Sequence, residues 1–154
     1  DGKMIMSGQY KNNYRNGNWT WYYIDNTKRK REVYELSELK RVIDWNRTGQ
    51  KVSEATKSGT GYDKWRNFTW YSSGVKKHDI NYENSKLSGK WTEWHINGIK
   101  RSEGNMKYGT MQGKWTFWYH NRKKELECEF DFGNPIGSTK IYHDNGMLKE
   151  EVTL

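Results

Sequence analysis

The side chains that could do chemistry in this chain recur at a fixed interval. Aromatic residues stand at Tyr22, Trp45, Trp70, Trp94, Trp118 and Tyr142, spaced by 23, 25, 24, 24 and 24 residues. Six positions after each of the first five comes a lysine: Lys28, Lys51, Lys76, Lys100 and Lys124. Nine positions after come Arg31, Glu54, Asp79, Glu103, Glu127 and Glu151. Cations beside flat rings are binding chemistry, suited to acidic or aromatic surfaces. They are not bond-making chemistry. The chain has no HExxH, CxxC, Gly-x-Ser-x-Gly or Walker phrase. Its acids recur with the repeat, which marks a structural column rather than a glycosidase pair. His78, His95, His120 and His143 are scattered. His95 and His143 share a register but lie two units apart, about 20 Å by strand spacing, so no metal site is expected and surface histidines are. No cofactor is implied.

Those columns require an element that repeats every 24 residues. Three copies of one phrase, Gly-x-Trp-Thr-x-aromatic, begin at Gly17, Gly89 and Gly113. Asn26, Gly49, Gly74, Gly98, Arg122 and Gly146 follow four positions after each aromatic anchor. In the clearest unit, Trp91 to Ile96 is strand-prone, and Asn97-Gly98 predicts a two-residue type I′ turn. Lys100 to Tyr108 returns as the second strand, and Gly109 to Gly113 turns into the next unit. The fold expected is all-β: an elongated, twisted antiparallel meander of six hairpins and about twelve strands, as a single repeat domain over 1–154. A two-residue turn pairs Trp94 with Arg101, Thr92 with Glu103 and Trp91 with Gly104. It places Trp91 and Lys100 on one face and Trp94, Arg101 and Glu103 on the other. Each face then carries a row of rings roughly 10 Å apart.

Composition agrees with a fold lacking a deep aliphatic core. Val, Ile and Leu number 19 of 154 residues and Ala only one, against 24 aromatic residues, nine of them Trp. So few aliphatic residues at a charge of +8 is the profile of disorder, but disordered chains are poor in aromatics. One Ala also argues against a mostly helical chain. No apolar run approaches the ~20 residues that span a bilayer. Cys128 is the sole cysteine, so no intrachain disulfide forms, and a structural thiol is expected.

The middle departs from the pattern. Lys40 and Trp65 replace the phrase glycine, and Val42 and Asn67 replace its Trp. Ser53 to Lys64 reads as an irregular loop. Its Ser58-Gly59-Thr60-Gly61 has no following helix to cradle a phosphate. Tyr34 to Ile43 fits a short helix on periodicity, but the repeat register favours a strand. Lys28-Arg29-Lys30-Arg31 could bind nucleic acid or an anionic surface; a solvated hairpin tip is the plainer reading. Asn18-Trp19-Thr20, Asn46-Arg47-Thr48 and Asn67-Phe68-Thr69 are formal sequons in expected strands.

With these columns in hand, the sequence resembles the MORN-type repeat, in the short variant of YwqK-like proteins that carry an antitoxin-component label. The phrases carrying the resemblance are Gly89-Lys90-Trp91-Thr92-Glu93-Trp94-His95-Ile96-Asn97-Gly98-Ile99-Lys100 and its counterparts from Gly17 and Gly113. It covers about residues 8 to 154. It implies stacked hairpins and a non-enzymatic module that meets a protein or a lipid surface, and it brings no catalytic residues. The expectation is a scaffold for a protein partner, with Tyr62, Trp65, Lys51, Lys76, Lys100 and Lys124 as contact candidates. Single-stranded nucleic acid, carbohydrate or cell envelope, and a membrane surface are the alternatives. A secreted, periplasmic or cell-envelope setting is favoured over the cytoplasm.

Overall fold

The computed structural model describes residues 5–58 and 61–153, with the backbone alone at 57, 58 and 61–63. These residues form thirteen strands and no helix. They are β1 (Met6–Lys11), β2 (Tyr14–Tyr22), β3 (Lys28–Glu35), β4 (Glu38–Trp45), β5 (Lys51–Ser58), β6 (Gly61–Trp70), β7 (Lys76–Glu83), β8 (Lys86–Trp94), β9 (Lys100–Lys107), β10 (Thr110–Trp118), β11 (Lys124–Asp131), β12 (Asn134–Tyr142) and β13 (Leu148–Thr153). Strand order in the sheet is strand order in the chain, an antiparallel meander of hairpin repeats as expected. The thirteenth strand is β1, which precedes the first anchored hairpin. The chain clusters into two compact units, Asp1–Asn67 and Phe68–Leu154.

Two kinds of turn alternate. Each aromatic anchor leads into a five-residue connection: 23–27, 46–50, 71–75, 95–99, 119–123 and 143–147. In the fourth, His95 N donates to Ile99 O at 2.8 Å and Gly98 N donates to His95 O at 2.9 Å. Gly98 has φ +82°. This is a type I turn closed by a left-handed residue, not the two-residue type I′ turn expected of Asn97-Gly98. The same geometry accounts for the recurring fourth position, down to Arg122 at φ +73°. The extra residue bulges the ladder. Trp94 therefore pairs with Lys100 instead of Arg101, while Thr92–Glu103 and Trp91–Gly104 pair as expected. Lys100 moves to the Trp94 and Glu103 side, and Arg101 instead reaches Glu93 at 3.0 Å.

The other connections are two residues long, with both residues at positive φ: Asn12-Asn13, Leu36-Ser37, Asn84-Ser85, Tyr108-Gly109 and Phe132-Gly133. These are the type I′ turns. Gly113 accordingly lies inside β10, not in a turn. Tyr34 to Ile43 belongs to β3 and β4 rather than a helix. The stretch expected to be an irregular loop is strand on both sides, in β5 and β6. Gly59 and Thr60 lie outside the described residues.

The phrase glycines explain the core. Gly17, Gly89 and Gly113 sit within strands at φ +68°, +93° and +68°. At Gly113 the strand bulges, so that Gln112 pairs with Asn105 but Thr116 with Glu103. The bulge swings Trp115 across the preceding strand onto Gly104. A methyl group on Gly104 would stand 2.2 Å from the indole, and one on Gly8 would stand 2.2 Å from Trp19. Trp115 and Trp19 are only 2% and 3% exposed. A ring seated on a glycine of the neighbouring strand thus substitutes for an aliphatic interior. Where the phrase is missing, Val42 and Ile43 are the buried residues of β4. Cys128 is buried in the same way and receives Thr139 Oγ1 at 3.0 Å.

Candidate functional site

Four of the candidate lysines share one local geometry. The bulge after each five-residue turn brings a lysine onto the same side as the acid three residues on. Lys51 meets Glu54 at 2.9 Å, Lys76 meets Asp79 at 3.5 Å, Lys100 meets Glu103 at 3.0 Å and Lys124 meets Glu127 at 2.7 Å. Two of these lysines also lie over rings. Lys76 Nζ is 5.0, 5.5 and 5.4 Å from the rings of Phe68, Trp70 and Trp94, and Lys100 Nζ is 5.2 Å from Trp118. Burial pushes the Glu103 carboxyl up, but hydrogen bonds from Lys90 and Lys100 outweigh it and hold the group below its ordinary value. Glu54 behaves alike between Lys51 and Arg41. Hydrogen bonds from Lys124 and Tyr142 lower Glu127. These four lysines are therefore charge-matched within their own repeats.

Trp65 pairs with Ala55 across β5 and β6 and is half-buried. The Tyr62 side chain lies outside the described residues. Lys76 and Lys100 stand against rings of the C-terminal unit, whereas Trp65 and Lys51 belong to the N-terminal unit. Among the described residues there is also no cluster of three or more His, Cys, Asp or Glu able to hold a metal.

Sequence reasoning missed a further column, one position after each anchor. Tyr23, Tyr71, His95 and Tyr119 reach the backbone carbonyl of the next anchor. The contacts are Tyr23 Oη to Trp45 O at 3.2 Å, Tyr71 Oη to Trp94 O at 2.8 Å, His95 Nε2 to Trp118 O at 2.8 Å and Tyr119 Oη to Tyr142 O at 2.9 Å. Asn97 and Asn121 donate to the carbonyls of His120 and Asp144 in the same way. His95 is thus a stitch between repeats rather than a plain surface histidine. His78 is likewise engaged, with Thr69 Oγ1 at 2.8 Å from Nδ1. At the opposite ends of the strands, Ser37, Gly109 and Gly133 donate their N–H groups to Arg15, Leu87 and Met111 of the preceding hairpin. The signal for both sets was the 24-residue interval itself.

The type I′ turns expose bulky apolar residues. Leu36, Tyr108 and Phe132 hold φ of +47°, +53° and +46° and are 82%, 65% and 60% exposed. A left-handed L-residue costs about 1–2 kcal/mol, which Asn or Gly relieves, and exposure at this level returns little burial energy.

The first repeat differs from the others. Its lysine is Lys28, but the residue three positions on is Arg31, not an acid. None of Lys28, Arg29 and Arg31 forms an ion pair among the described residues, whereas Lys30 meets Glu32 at 2.6 Å. Arg31 lies 5.8 Å from the Trp45 ring centre, and its Nε is buried without a hydrogen-bond partner. Beside this run opens a cleft of about 920 Å³ lined by Ile5, Trp21, Tyr22, Tyr23, Ile24, Asp25, Arg29 and Arg47. No family model matches this chain, and no curated protein is significantly similar to it.

Proposed function

We propose that the protein is a non-catalytic repeat scaffold that binds a protein partner, as the resemblance to MORN-type repeats implies. The observation that carries this reading is the placement of Tyr108 and Phe132 at exposed, left-handed turn positions. Neither folding nor solubility favours large apolar side chains there, and binding does. Lys76, Lys100 and Lys124 start alternate strands of the same unit, the first two over aromatic rings. Because each is already matched by an acid, they offer aliphatic stems and ring edges more than net charge. Trp65, and Tyr62 beside it in sequence, are the corresponding candidates in the N-terminal unit.

The test is cross-linked affinity capture from native cells with the parent chain and with Tyr108→Asn/Phe132→Asn. Asn suits the left-handed turn, so the variant should fold at least as well. The parent should recover a specific partner that the variant loses. Equal recovery by the two chains contradicts the reading.

A further inference from the structure

We infer that the N-terminal unit carries a nucleotide-binding cleft, formed by Trp21, Tyr22 and Tyr23 with Arg29 and Arg47, for a nucleotide either free or within a single strand. Four other repeats place an acid three residues after the lysine and neutralise it. In the first repeat that residue is Arg31, and among the described residues Lys28, Arg29 and Arg31 form no ion pair. The N-terminal unit therefore holds 14 basic and 8 acidic residues, a net of +6, while the C-terminal unit holds 13 and 11, a net of +2. Of these cations, Arg29 and Arg47 line a cleft of about 920 Å³, ample for a nucleotide.

The cleft wall has two chemistries. Guanidinium groups favour an oxyanion that accepts paired hydrogen bonds, which is phosphate chemistry. Indole and phenol rings favour a flat, weakly polar group. A nucleotide carries both, whereas an acidic peptide or inorganic phosphate lacks the base. Arg47 already lies 5.3 Å from the Tyr23 ring centre, and Lys30 lies 5.7 Å from that of Trp21, so cation and ring are held together before any ligand arrives. Three anions stand near. Asp25 lines the cleft, but its Oδ1 accepts both Thr27 N and Thr27 Oγ1. Glu32 is held by Lys30. Asp44 accepts from Ser53 Oγ at 2.7 Å. Arg29 and Arg47 stand on the cleft wall, Arg47 also acting on Asp25, and Lys30 stands beside Trp21 and Arg29.

The experiment titrates the full chain with a fluorescent single-stranded oligonucleotide, with a free nucleoside triphosphate, with inorganic polyphosphate and with poly-glutamate. Arg29→Gln and Arg47→Gln each remove one guanidinium of the cleft wall while leaving the strand core untouched. Each should weaken nucleotide binding at least tenfold, while Lys86→Gln in the C-terminal unit binds as the parent does. With about three phosphate contacts on a single strand, the log–log salt slope is about −2. Affinity should then fall roughly fifteen-fold between about 50 and about 200 mM salt. Saturation by the free triphosphate identifies a soluble nucleotide as the ligand, and saturation by the oligonucleotide alone identifies a strand. No binding of either, unchanged affinity in both variants, or equal binding of polyphosphate or poly-glutamate overturns the inference.

Discussion

The two units use the same packing device with opposite treatment of charge. In the N-terminal unit Trp19 seats on Gly8, and in the C-terminal unit Trp115 seats on Gly104, at the same close approach. Around Trp115 the lysines Lys100 and Lys124 each meet an acid. Around Trp19 the corresponding run is Lys28-Arg29-Lys30-Arg31, of which only Lys30 is matched among the described residues. The frame is therefore indifferent to what occupies the charged columns, provided the ring and the glycine remain. That indifference leaves one repeat at liberty to carry an uncompensated cationic surface while its neighbours do not.

The largest effects should fall on the shared device. Trp115→Ala and Trp19→Ala should each cost about 3–5 kcal/mol, measured by chemical denaturation. Gly104→Ala and Gly8→Ala should cost about 1–3 kcal/mol by forcing the indole aside. A unit that tolerates its substitutions would break the comparison. A smaller difference sharpens it. Trp115 Nε1 donates to Asn105 O at 3.1 Å, but Trp19 Nε1 is buried without a partner. Trp19→Phe should therefore be less costly than Trp115→Phe by about 1–2 kcal/mol.

Acid should weaken both units through the matched carboxylates. Glu54, Glu103 and Glu127 are held below their ordinary value of 4.5. A depressed carboxyl contributes stability that is present above that value and lost as the pH falls through the folded-state value. Glu103→Gln should flatten this acid limb in a denaturation series, and an unchanged limb would remove the lysine–acid pairs from the account. The smallest effect belongs to Arg31→Glu. It should stabilise the N-terminal unit by about 0.5 kcal/mol at low salt and lose that gain at high salt.

The repeat register, the strand content and the turn positions were legible because the 24-residue interval places like residues in like environments. The turn types were not. Asn97-Gly98 suits a type I′ turn taken alone, but its residues serve as the end of a type I turn and the left-handed closure. Three of the true type I′ turns begin with Leu36, Tyr108 and Phe132, which local propensity assigns to strands. The contact of Trp115 with Gly104 was hidden for a different reason: it depends on a bulge that slides one strand past the next. The matching of Lys100 with Glu103 follows from a bulge of the same kind. Arg31 was visible as a departure from the acidic column. Its consequence emerged only once the other four lysines were seen to be matched.

The most direct test of the contrast between the units is the indole N–H spectrum of the full chain during titration with a single-stranded oligonucleotide. Nine tryptophans give nine probes spread over both units. The account predicts that the Trp21 signal moves while those of Trp94, Trp115 and Trp118 stay in place. Movement of Trp94 and Trp118 with Trp21 unmoved, or no movement at all, would contradict it.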